Sequence, residues 1–198
     1  MALATKHIGL LFGSFNPIHI GHLIIAETVA SMPDVQEVWL VVSPHNPLKD
    51  KKALLNQYDR LHLVRLCIED NPRLRVSDIE FGLPQPSYTI DTLAYLHEKY
   101  PHYEFRPIMG EDNLAHLHKW KNYEQLLKYY RLIVYPRPNC TNTPAEYRQH
   151  DRIDWLTVPL IDISATHIRD LVRQRRSIRY LVHDRVHDYI NTTNWWRP

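Results

Sequence analysis

The 198-residue chain is 44% hydrophobic and 23% charged, and its 24 Lys and Arg against 22 Asp and Glu leave a formal net charge of +2. That charge is too small for a general polyanion binder, and no apolar run approaches the roughly 20 residues needed to span a bilayer. A length of this order suits one domain, read as 1–198 with a helical C-terminal part from about 164, large enough to bury a substantial core.

The N-terminal "MALATKHIGLLFGSF" lacks the long apolar stretch and cleavage site of a secretory signal, because Gly13 interrupts it; a cytoplasmic protein is expected. Short apolar runs at 8–12, 37–42, 74–79, 103–109, 131–135 and 154–161 ("DWLTVPLI") read as strands. Between most of them lie helical patterns: "GHLIIAETVASM", "YDRLHLVRLCIED", "YTIDTLAYLHEKY" and "YEQLLKYY". From Ser164 onward the strand signal disappears and "SATHIRDLVRQR" and "DRVHDYIN" read as two closing helices. Strands alternating with helices predict an α/β fold, a Rossmann-like open and mainly parallel sheet with helices on both faces. The Pro-containing segments 43–56 and 135–151 are long loops, and Cys67 and Cys140 are too few for a disulfide framework or zinc knuckle.

In such a sheet ligands gather at the carboxyl ends of the strands, and "GSFNPIHIGH" is the turn after the first strand. It carries neither G-x-G-x-x-G nor G-x-x-x-x-G-K-[ST], so any phosphate is held by other means. Gly13 and Ser14 can present backbone N–H groups, and a helix opens near Gly21 with its positive end toward the loop. His19 and His22 at that helix start can donate to phosphate oxygens and stabilise developing charge. No carboxylate or cysteine sits at ligand spacing beside them, which argues against a zinc pair. Farther on, Ser164 can cap a helix, leaving amides and the Thr166 hydroxyl for an anion, with the planar fork of Arg169 nearby.

"GSFNPIHIGH" resembles the [ST]-x-[DN]-P-x-H-x-G-H signature of the nucleotidyltransferase α/β-phosphodiesterase superfamily, and "ISATHIRD" resembles its I-S-[SA]-T-x-I-R motif. "SPHNPLK", "PSYTIDTL", "GEDNLAHLHKW" and "YPRP" resemble, in order, internal motifs of the bacterial nicotinate-nucleotide adenylyltransferases, so the likeness covers nearly the whole chain. One departure is the segment "LVRQRRSIRYLV", which lacks the glycine often found before "SIRYLV".

The resemblance implies transfer of AMP from ATP to nicotinate mononucleotide, giving deamido-NAD and pyrophosphate in NAD biosynthesis. It implies His19, His22 and Arg169 as catalytic groups, and an ATP site of Gly13, Ser14, Phe15, His19, His22, Gly110, Asp112, Ile163, Ser164, Thr166 and Arg169. It further implies a mononucleotide site of Asn46, Lys49, Ser87, Tyr88, Thr89, Asp112 and Trp120, where a cationic pyridinium suits an aromatic face. Mg²⁺ is expected to travel with ATP, held by phosphates and water with no resident metal ligand. The partners are the two small-molecule substrates, with no nucleic acid and no membrane, and a homo-oligomer stays open. Two alternatives remain: an enzyme using nicotinamide mononucleotide or both acceptors, and a non-catalytic nucleotide sensor on the same scaffold.

Overall fold

The computed structural model describes residues 5–44, 54–138 and 140–197. In chain order the elements are β1 (Lys6–Gly13), α1 (Ile20–Ala30), β2 (Glu37–Val42), α2 (Gln57–Ile68), β3 (Leu74–Ser77), α3 (Thr89–Lys99) and β4 (Tyr103–Gly110). There follow α4 (Glu111–Leu114), α5 (Tyr123–Tyr129), β5 (Leu132–Tyr135), α6 (Ala145–Arg148), β6 (Ile153–Trp155), α7 (Ala165–Arg173) and α8 (Asp184–Asn191). Short 3-10 turns at Ile79–Gly82 and Leu117–Lys119 precede α3 and follow α4.

All strand pairs are parallel, in the order β3-β2-β1-β4-β5-β6. Parallel strands buried on both faces need near-continuous apolar sequence, and β1 supplies it: Ile8, Leu10 and Leu11 are all buried. Leu10, Trp39 and Phe105 face α3 and α5 through Leu93, Leu96 and Leu126. Leu11, Val38 and Leu40 face the other way, onto Ile25 and Val29 of α1, Leu61 of α2, Leu171 of α7 and Ile190 of α8. The predicted closing helices therefore complete this second layer. The Ile20 N–H also donates to Leu181 O at 3.0 Å, tying the start of α1 to the segment between them.

From β1 the chain travels outward to β3, then returns to place β4 on the opposite side of β1. Loops leaving β1 and β4 consequently diverge and leave a crevice, the switch point where open α/β sheets bind ligands. No helix among the described residues is long and apolar enough to cross a membrane.

The last predicted strand differs from the observed one. β6 ends at Trp155, and although the Leu156 N–H still donates to Val134 O at 2.8 Å, the run through 161 leaves the sheet. Pro159 has no N–H to continue the ladder, and residues 159–163 pass over the strand ends, where Pro159, Ile161 and Ile163 become wall of the crevice. The third strand also stops early, because a 3-10 turn starts at Ile79.

Candidate functional site

The crevice encloses a cavity of about 220 Å³ walled by the turn after β1, the start of α4, the end of β5 and the N-terminus of α7. A larger hollow of about 850 Å³ lies at the α7–α8 end, among exposed arginines such as Arg175 and Arg176, away from the strand ends. The smaller cavity is where the turn after β1, two imidazoles and a helix start converge, groups whose chemistry suits an anion.

The turn itself is crowded. Phe15 is buried and takes a left-handed backbone (φ 45), which folds its ring back over Gly13; a Cβ on Gly13 would lie 2.8 Å from that ring. The opposite rim repeats the device, since a Cβ on Gly110 would collide with the Asp112 carboxylate. The Phe15 ring also meets His22 edge to face at 5.0 Å, and His22 stacks on His19 with centroids 3.6 Å apart.

His19 is the residue before α1 and the His19 N–H donates to His22 Nδ1 at 3.3 Å, which puts the proton of a neutral His22 on Nε2. The Nδ1 of His19 is buried without a hydrogen-bond partner. Burial first, and the Arg137 charge second, hold the His19 imidazole down at about 4, so at neutral pH it is uncharged. A neutral imidazole with an unsatisfied nitrogen beside a guanidinium suits an incoming anion, whose charge would favour protonation.

Arg137 stands across the cavity, 3.7 Å from Asp112 Oδ1, and its Nη1 donates to Ile161 O at 3.5 Å. Beside it the Tyr135 phenol is kept protonated, its pKa raised by burial and by Asp112 against the opposing pull of Arg137. Asn113, Tyr135 and Arg137 all line the cavity and none was among the predicted site residues. The available signal was "YPRP", which directly follows a parallel strand, where side chains face ligands.

Of the expected ATP-binding set, Gly13, Ser14, Phe15, His19, His22, Asp112, Ile163 and Ser164 line the cavity. Ser164 also caps α7 as predicted, its Oγ accepting from the His167 N–H at 3.1 Å. Gly110, Thr166 and Arg169 are not among the residues that line it. The Arg169 fork is turned onto the loop itself: Nη1 donates to Asn16 O at 2.8 Å and Nη2 to Thr166 Oγ1 at 3.1 Å. Its Nε is buried without a partner, and burial, ahead of the neighbouring Arg173, lowers its pKa against the pull of Asp170.

Of the expected mononucleotide residues, Asp112 lines the cavity, whereas Ser87, Tyr88, Thr89 and Trp120 do not. Tyr88 is the residue before α3, and its ring lies 5.0 Å from Lys121 Nζ, next in sequence to the half-buried Trp120. Lys121 also pairs with Asp91 at 2.7 Å, so the segments carrying Tyr88 and Trp120 are joined. Buried Glu80 accepts from Thr92 Oγ1 at 2.8 Å, one turn into α3, and through its carbonyl from Gln85 Nε2 at 3.0 Å. Asn46 and Lys49 fall outside the described residues.

One further cation bears on the loop. Arg60 is fully buried on α2, and its guanidinium donates to the carbonyls of Ser14 (2.6 Å), Ser43 (2.7 Å), Pro44 (2.8 Å) and Leu55 (3.0 Å). Burying a cation costs several kcal/mol; four charge-assisted bonds at about 1.5–3 kcal/mol each offset this. Burial pulls Arg60 only down to about 10, so it stays charged.

The chain matches the family described as cytidylyltransferase-like over residues 10–171. It is 52% identical over 190 residues to a probable nicotinate-nucleotide adenylyltransferase of Flavobacterium psychrophilum, covering 96% of this chain and 98% of the relative. A counterpart of the same description from Cytophaga hutchinsonii is also 52% identical, over 96% of this chain and 97% of its own length. Among solved structures, Plasmodium falciparum nicotinic acid mononucleotide adenylyltransferase complexed with NaAD shares the fold, with a TM-score of 0.81 at 19% identity over 96% of this chain and 97% of that one. The switch-point cavity, the stacked histidine pair and near-full-length identity converge on one assignment: the chain belongs to the cytidylyltransferase-like family, among its nicotinate-nucleotide adenylyltransferases.

Proposed function

We propose that the protein transfers AMP from Mg-ATP to nicotinate mononucleotide, forming deamido-NAD and releasing pyrophosphate. The observation that carries this reading is the anion cavity at the β1/β4 switch point, walled by Ser14, His19, His22 and the N-terminus of α7, in a chain so similar to its named relatives. The acceptor's phosphate oxygen is already ionised at neutral pH, so no covalent nucleophile from the protein is required. That oxygen bonds to the α-phosphorus as the bond to the bridging oxygen of pyrophosphate breaks. Catalysis then rests on positioning and charge neutralisation.

His22 offers Nε2–H and His19 an imidazole that gains a proton as phosphate approaches; both stabilise charge on the α-phosphoryl group and on departing pyrophosphate. The α7 N-terminus and Arg137 hold the outer phosphates, and Arg169 supports the loop from behind through Asn16 O. The two imidazoles, the guanidinium and the backbone amides suit phosphate oxygens, and Mg²⁺ enters as part of the nucleotide. Ser87, Tyr88, Thr89 and Trp120 receive the pyridinium carboxylate and ring. The reading places the reaction in the cytoplasm.

The test is pyrophosphate release with Mg-ATP and either nicotinate or nicotinamide mononucleotide. Turnover is expected with the acid, and His22→Ala should lower kcat by roughly 10²–10³-fold, as loss of one charge-stabilising donor does. No turnover with either acceptor refutes the activity; an unchanged His22→Ala rate refutes the catalytic assignment alone.

A further inference from the structure

We propose that Arg60, which belongs to none of the motifs of the site, is the positioning residue that sets the phosphate-binding face of the first loop. This rests on the adenylyl-transfer reading above. The guanidinium joins three separate stretches of backbone: the turn after β1 at Ser14, the end of β2 at Ser43 and Pro44, and the approach to α2 at Leu55. Leu55 is held from its other side as well, its N–H donating to Asn16 Oδ1 at 3.2 Å. Among the described residues no carboxylate pairs with Arg60. Its hydrogen-bonding capacity is directed at main-chain oxygens.

The consequence follows from peptide geometry. The Ser14–Phe15 bond is trans, so its C=O and N–H point in opposite directions. With Ser14 O drawn to 2.6 Å from Arg60 Nη1, the Phe15 N–H is directed away from Arg60, and both Ser14 and Phe15 line the cavity that this amide would serve. The second carbonyl of the turn, Asn16 O, is likewise taken by Arg169. Two arginines from two different helices thus withdraw the loop's negative dipole ends from the anion site and leave its amide facing it. Lysine cannot replace Arg60 here, because a single ammonium cannot serve carbonyls spread around a planar fork.

Selective ¹⁵N-phenylalanine labelling gives only the amides of Phe12, Phe15, Phe81 and Phe105. Titration of the wild type with pyrophosphate should move the Phe15 signal far more than those of Phe81 and Phe105. In Arg60→Lys, with the Phe81 and Phe105 signals retained as evidence of fold, pyrophosphate affinity and kcat should each fall at least tenfold. If Arg60→Lys does not fold, Arg60→Gln is judged by the same criteria. An unresponsive Phe15 amide in the wild type overturns the proposal whatever the variants do. So does a folded variant whose melting temperature falls while pyrophosphate affinity, Phe15 response and kcat stay within twofold. Failure of the wild type to turn over refutes the adenylyl-transfer reading instead, and the pyrophosphate titration still reads the loop separately.

Discussion

His19 shows how one buried side chain couples binding to pH. Its imidazole is held at about 4 by burial and by Arg137, against 6.5 in an unfolded chain. Between those values the unfolded state binds a proton that the folded state refuses, so stability is complete above pH 6.5 and is lost as pH falls toward 4. The shift corresponds to at most about 3 kcal/mol. Urea unfolding of the ligand-free protein should show this decline, and His19→Gln should flatten it. Pyrophosphate should reverse the sign of the local field: the His19 Hε1 resonance is expected to titrate near 4 without the anion and at least one unit higher with it. A resonance that titrates at the same pH in both states would remove His19 from the anion site.

At the scale of the element, α7 is ended as deliberately as it is begun. Ser164 caps the start, and at the far end the Arg175 N–H donates to Val172 O (3.0 Å) and the Arg176 N–H to Leu171 O (2.8 Å). This is the Schellman pattern, with Arg175 left-handed at φ 56 in the place that usually takes glycine. In "LVRQRRSIRYLV", which has no glycine, Arg175 itself takes the left-handed conformation that closes the helix. A left-handed non-glycine residue costs about 1–2 kcal/mol, more than the 0.5–1 kcal/mol of extra chain entropy that glycine loses on folding. Arg175→Gly should accordingly stabilise the protein by about 0.5–1 kcal/mol in denaturant unfolding, with kcat unchanged. Destabilisation would mean that the Arg175 side chain contributes more than its backbone costs.

For the whole molecule, the loops after β1, β4 and β5 wall the cavity together with the N-terminus of α7, and the start of α3 is joined through Lys121 to the stretch around Trp120; in the proposed function the first holds phosphates and the second the pyridine ring. At 220 Å³ the cavity is smaller than the roughly 300–1,000 Å³ of a drug-sized ligand site, so a dinucleotide product must extend onto a second surface. Stacking of a cation on tryptophan is worth about 0.5–2 kcal/mol. Trp120→Ala should thus raise KM for nicotinate mononucleotide roughly tenfold while KM for ATP stays within about twofold, in steady-state pyrophosphate-release assays. Equal increases in both would show Trp120 to be scaffold only.

The alternating apolar runs and helical periods determined the α/β class, five of the strands to within a few residues and the position of the turn after β1, because these depend on local spacing and on glycines and caps next to one another in sequence. The placement of His19, His22 and Ser164 at helix starts was legible for the same reason. What only the tertiary structure decided involves partners far apart in the chain. Arg60 reaches Ser14 across 46 positions, Arg169 reaches Asn16 across 153, and Arg137 faces Asp112 from the neighbouring strand end. Local sequence scores Arg60 and Arg137 as ordinary solvated cations and marks Arg169 only through its motif, without its carbonyl partner; the fold, bringing remote strand ends and helices to one rim, buries Arg60, half-buries the other two and supplies their partners.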